Sequence, residues 1–257
     1  MQSKDGIKMK KAILVTLLSS AALMLFAAPA DAKEKETKTD VGVSFKDDSP
    51  TISPEDMKPF KNNLAVVWKP ASFQFGEQKA VAGTAIFNNV TGDNGGLATA
   101  NNTDKSQYLV VNDDRELKEN KNSTWALKAN MSELVTTDGA TKLDAAKLSM
   151  ELNAPKMYNI GNVIGADNDY EPVAPWDAAA LTDFDAKSGV ELAPTATLEA
   201  ASTSKVDIVT KKTANDFKGG VATTIQNVKL YVNDANQNGK AFTGTITWTL
   251  DDAPTFS

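Results

Sequence analysis

From Phe242 to Leu250 the chain alternates without a break. Phe242, Gly244, Ile246, Trp248 and Leu250 fall on one side of an extended backbone, and Thr243, Thr245, Thr247 and Thr249 fall on the other. Successive side chains of a strand point to opposite faces, so this segment has an apolar face to bury and a polar face to leave outside. Lys147 to Leu152 repeats the pattern, with Leu148, Met150 and Leu152 on the side expected to meet a core. Shorter strand-length segments follow the same rule. Leu64, Val66 and Trp68 share a face; Phe73 and Phe75 come next; then Val81 to Phe87, Tyr108 to Val111, Thr124 to Met131, Thr197 to Ala200, Val206 to Val209 and Val221 to Val232. Asn, Asp and Gly clusters separate them, and helical periodicity is scarce. The chain is therefore expected to be all-β, a sandwich or a barrel.

Two regions depart from this regularity. Residues 33–63 are charged and interrupted by Pro50, Pro54 and Pro59, and only Val41, Val43 and Phe45 alternate, so the stretch reads as an extended spacer carrying at most one strand. Residues 154–194 are rich in Pro, Gly, Ala and Asp and read as a long surface excursion, with one short helix expected near 176–181. Ahead of both, Lys8, Lys10 and Lys11 precede an apolar run from Ala12 to Ala28 and then Ala30-Asp31-Ala32. That order predicts a secretory signal peptide over 1–32. The β-domain is expected over 64–257.

Composition removes several function classes. With no cysteine, disulfides, thiol catalysis and thiolate-held metals are absent; with no histidine, so are the commonest general base and the imidazole ligands. Arg115 is the only arginine and the formal net charge is −6, so no basic stripe exists to engage nucleic acid. The C-terminal residues 251–257 lack an LPxTG motif and a hydrophobic tail, so any attachment to a cell surface is expected to be non-covalent.

Asp234-x-Asn236-x-Asn238-Gly239 resembles half of an EF-hand loop, but Thr245 stands where the bidentate Glu belongs, and the stretch is expected to be a hairpin loop. Ser202-Thr203-Ser204-Lys205 matches a short S-x-x-K pattern without its companion motifs. The acids offer a glycosidase no singled-out pair. No enzyme activity, cofactor or metal is expected.

Two Trp-x-Leu patterns remain, Trp125-Ala126-Leu127 and Trp248-Thr249-Leu250. In a strand each puts an indole beside a leucine on one face. They are either core anchors, since indoles bury large area, or part of a binding surface whose aromatic faces stack on sugars. Asp113, Asp114, Arg115, Asp251 and Asp252 flank the pair. The acids are placed to meet amino groups of a ligand, or else Asp113-Asp114-Arg115 is a turn with a local ion pair.

With these motifs the chain resembles the WxL-domain surface proteins of low-GC Gram-positive bacteria. The resemblance is carried by Leu64 to Gly76 with its S-F-x-F-G segment, by Tyr108 to Arg115, by Leu143 to Leu148, by Val228 to Val232, and by Gly244 to Pro254; Glu116 to Thr124 is longer and more polar than the family's junction. It implies an immunoglobulin-like β-sandwich with long surface loops, attached non-covalently to peptidoglycan. The partners it implies or leaves open are other cell-surface proteins, including a membrane-anchored protein that recognises the domain, and host extracellular components. The expected location is outside the cell, retained at the surface. An interaction subunit of a surface complex is the alternative function.

Overall fold

The alternation of Lys147–Leu152 is reproduced residue by residue: Leu148, Met150 and Leu152 are buried and Lys147 is exposed. Strands of this kind pair edge to edge and stack their apolar faces. The computed structural model describes residues 35–44, 62–70, 72–90, 107–116, 123–143, 145–164, 169–252 and 254–256. The signal-peptide expectation, Phe45 and the three prolines of the spacer lie outside the described residues.

In chain order the strands are β1 (Lys35–Ser44), β2 (Leu64–Trp68), β3 (Ser72–Glu77), β4 (Ala85–Asn88), β5 (Tyr108–Asp113), β6 (Trp125–Met131), β7 (Val135–Thr136), β8 (Lys147–Leu152) and β9 (Lys156–Tyr158). They continue with β10 (Val163–Ile164), β11 (Asp169–Tyr170), β12 (Leu181–Thr182), β13 (Val190–Leu192), β14 (Thr195–Glu199), β15 (Val206–Lys211), β16 (Gly219–Val232) and β17 (Ala241–Asp251). One sheet has seven strands in the order β13-β15-β6-β17-β1-β3, with β7 also against β17. Within it, only β1 and β3 run parallel.

The second sheet has eight strands built on β16. The first half of β16 lies between β5 and β9 and its second half between β4 and β8; β2 adds beyond β5, β12 beyond β9 and β14 beyond β8. A register shift between Gln226 and Lys229, with Asn227 at φ 50°, divides the two halves. Asn tolerates this left-handed conformation better than most residues. Inward residues of both sheets, among them Phe73, Phe75, Leu109, Leu127, Leu148, Met150, Ile225 and Ile246, form one buried cluster. The architecture is an all-β sandwich.

Several local expectations change. The one strand allowed in the 33–63 stretch is present as β1; it begins at Lys35, ahead of Val41, and pairs along its ten residues with β17. Trp68 does not share the inward face of Leu64 and Val66, because a register shift between Val66 and Trp68 turns it outward. In Val81 to Phe87 the strand begins only at Ala85, and Val81 is exposed.

The 154–194 stretch is not only an excursion. Its strands β9 and β12 belong to the second sheet and β13 to the first, while β10 and β11 form a separate hairpin. The short helix is a single 3-10 turn, Ala178–Ala180, capped by Asp177 accepting from the Ala179 amide at 3.0 Å. The Asp234 loop is no hairpin, since β16 and β17 belong to different sheets and the loop crosses between them. Asp234 closes it by accepting from the Asn236 amide at 3.2 Å and from Gln237 Nε2 at 2.7 Å.

Candidate functional site

The two Trp-x-Leu strands are neighbours. In the antiparallel register of β6 and β17, Leu127 faces Leu250 and Ala129 faces Trp248. Strand parity therefore puts Trp125, Leu127, Trp248 and Leu250 on one face, with the leucine pair between the indoles. The offset of four residues separates the rings by about 13 Å along the strands. That face is inward: Trp125 is 2% exposed, Leu127 0%, Trp248 0% and Leu250 1%. These four side chains lie in the core of the sandwich.

The indoles differ in their polar contacts. Trp248 Nε1 donates to Thr39 Oγ1 at 2.7 Å. Trp125 Nε1 is buried without a hydrogen-bond partner among the described residues, as are Thr249 Oγ1 and Asp252 Oδ1.

Beyond the leucines, the flanks of both motifs are tied by one side chain. Arg115 donates from Nε to Asp113 Oδ1 at 2.8 Å and from Nη2 to Asp113 Oδ2 at 3.0 Å, a fork-shaped ion pair. The same guanidinium donates to the carbonyl of Ser123, just before Trp125, and to the carbonyl of Asp252, just after the second motif, each at 3.3 Å. Ser123 Oγ donates to the Asn215 carbonyl at 2.9 Å and accepts from the Asn215 amide at 2.8 Å, which fastens the loop after β15 to the start of β6.

Lys211 completes this end. It stands opposite Trp125 in the β15–β6 register, is 0% exposed, and donates to the Phe217 carbonyl at 3.1 Å. Burial pushes its pKa down; Asp113 opposes that shift, Arg115 adds to it and Asp216 opposes it. Sequence reading missed Lys211, although its spacing of two from Val209 marks it as inward-facing.

The remaining flanking acids point elsewhere. Asp114 Oδ2 accepts from the Asn62 amide at 3.0 Å and from the Tyr170 hydroxyl at 2.8 Å. Burial first, then the hydrogen bond to Asp114 and its charge, push Tyr170 from 10.0 up to about 12. Asp251 pairs with Lys128 at 3.2 Å on the outer face of the first sheet. Of the flanking group, Asp113, Arg115 and Asp252 are brought together, and Asp114 and Asp251 are not part of that clasp.

A second arrangement lies on the outer face of the second sheet. Trp68 from β2 and Tyr158 from β9 lie over Val110 and Ala222, where Gly220 lets the ring of Tyr158 approach: a Cβ there would sit 2.6 Å from its Cδ1. Trp68 Nε1 donates to the Tyr158 hydroxyl at 3.4 Å, and that hydroxyl donates to the Val173 carbonyl at 2.5 Å. Trp176 meets Trp68 edge-on, with ring centroids 5.1 Å apart at 68°, and Tyr108 lies 6.3 Å from Trp176 at 59°. Trp68, Trp176 and Tyr108 are half-buried. The alternation rule hid this group because it placed Trp68 inward and found no period around Trp176.

Among the described residues no group of three or more acids converges as a metal site would require. No curated protein matches the chain. The model of the WxL domain family, described as surface cell wall-binding, matches residues 32–254, a span that takes in β1 as well as both motifs. With a sandwich that sets the two Trp-x-Leu strands side by side and a family match over nearly its whole length, the chain belongs to the WxL domain family of surface, cell wall-binding proteins.

Proposed function

We propose that this protein is a non-enzymatic surface component that attaches non-covalently to peptidoglycan of a Gram-positive wall. The family match over residues 32–254 carries the reading. The order of basic, apolar and Ala30-Asp31-Ala32 residues at the N-terminus supports export. The buried motifs support a division of labour: they hold the sandwich together, and wall contact is made by groups on its surface.

Sedimentation with purified sacculi tests this. The protein is expected in the pellet, with no reducing sugar released from the sacculi. Protein that stays in the supernatant defeats the reading, and sugar release defeats the non-enzymatic part of it.

A second reading, an interaction subunit held by a membrane-anchored partner or meeting host material, is favoured by one surface feature. Ile86 on β4 and Tyr231 on β16 are register partners, exposed by 57% and 36%. Adjacent exposed apolar groups are a common mark of protein contact. Capture by such a partner without sedimentation on sacculi would select it.

A further inference from the structure

We propose that the corner formed by Trp68, Trp176 and Tyr108 is a carbohydrate site that takes the C–H faces of a β-1,4-linked N-acetylhexosamine strand. The proposal rests on the wall-binding reading and gives it a place. With Trp125 and Trp248 at 2% and 0% exposure, stacking by the motif indoles would require opening the core. The partly exposed indoles are gathered instead on the outer face of the second sheet, against a partly exposed phenol.

The corner is built before any ligand arrives. Trp68 is held through its indole N–H by Tyr158, whose hydroxyl in turn holds the Val173 carbonyl. Trp176 sits in a turn closed by the Asp177 amide donating to the Ala174 carbonyl at 2.9 Å, with Pro175 fixing the first central position. Tyr108 is fixed on β5. Rings already held in place lose little rotamer freedom on binding, which is the main cost a flexible sugar site would meet.

The chemistry selects a neutral sugar. An aromatic face carries partial negative charge and attracts the weakly positive C–H groups of a pyranose. Asp177 beside Trp176, on a chain of net charge −6, disfavours an anionic wall polymer. The indoles meet edge to face with centroids 5.1 Å apart, too close for a quaternary ammonium to lie between them as it would in an aromatic cage.

The test uses the full-length protein and chitotetraose as probe. Because Trp125 and Trp248 are buried, a change in tryptophan emission on adding the sugar reports Trp68 and Trp176. Trp176→Ala is expected to weaken binding about tenfold, as loss of one stacking ring should, in a variant that circular dichroism shows to be folded at the assay temperature. Trp176→Tyr restores most of it, and Ile86→Ala leaves it at the wild-type value. Sedimentation on sacculi is run in parallel. If the wild type sediments and Trp176→Ala and Tyr108→Ala bind sugar and sacculi equally well, the site is wrong and wall binding stands. If the wild type binds the sugar through Trp176 but does not sediment, the site stands and wall binding falls. No emission change with the sugar, or displacement by choline in its place, overturns the proposal.

Discussion

Trp248 and Thr39 meet through a 2.7 Å hydrogen bond from the indole N–H to the hydroxyl, across 209 positions of sequence. That hydroxyl donates in turn to the carbonyl of Pro70 at 2.5 Å, so the second motif is linked through β1 to the connection between β2 and β3. Thr39 is fully buried. Thr39→Val keeps the shape and leaves the indole N–H and the Pro70 carbonyl without this partner. A loss of about 1–3 kcal/mol is expected, against a much smaller loss for Thr39→Ser, measured by urea unfolding.

Arg115 answers a buried carboxylate, since the side chain of Asp113 is 5% exposed. Removing one partner of such a pair strands the other charge, and Arg115→Ala is expected to cost about 3–5 kcal/mol. Arg115→Lys loses the fork and the two carbonyl contacts and recovers only part of this. Asp113→Asn combined with Arg115→Ala should be less damaging than the single effects summed, a coupling that a double-mutant cycle measures directly.

Trp125→Ala and Trp248→Ala each remove a large buried ring, at a cost of about 3–5 kcal/mol. Wall binding by these variants is expected to follow the folded fraction. At a temperature where circular dichroism shows either variant folded, its sacculus affinity should equal the wild type's. A specific loss in a folded variant would make the indole a ligand contact.

Tyr170 supplies a pH dependence. Its folded pKa is raised, from 10.0 to about 12, so the folded state holds the phenol proton more tightly than the unfolded chain. The associated stability is fully present below pH 10 and is lost as pH rises toward 12. Tyr170→Phe should flatten this alkaline decline and remove a late phase of the tyrosinate absorbance titration.

At Gly220 an added Cβ would lie 2.6 Å from Tyr158 Cδ1 and 2.7 Å from its carbonyl oxygen. Gly220→Ala must shift β9 or the ring, at about 1–3 kcal/mol. Because Tyr158 holds Trp68 and Val173, sugar binding should weaken with it, whereas Gly239→Ala at the distant turn should leave sugar binding unchanged.

What could be read in advance was one-sidedness. Leu148, Met150 and Leu152 announced β8 because an apolar/polar alternation has one geometric meaning, and Phe242 to Leu250 announced β17 for the same reason. Val41 and Val43 announced the end of β1, but its start was obscured because Thr37 and Thr39 occupy its inward side, and a threonine that accepts from a buried indole looks in sequence like a solvent-facing one. Trp68 was misplaced because an extra residue in one strand reverses all later parities without leaving a compositional trace. The single arginine was conspicuous, yet its reach to the carbonyls of Ser123 and Asp252 depends on loops meeting in space. The Trp-x-Leu pair was visible as a pattern, and which way it faces is decided by the second sheet packing over it.

β17 lies between β1 and β6 and joins strands that are far apart in sequence. β1 and β6 lie far from β17 in sequence, so this part of the first sheet closes through high contact order, a topology associated with slow folding. A chain cut short before Ala241 leaves β6 and β1 as unpaired edges on two halves of a divided sheet, open to proteolysis and to pairing with other chains.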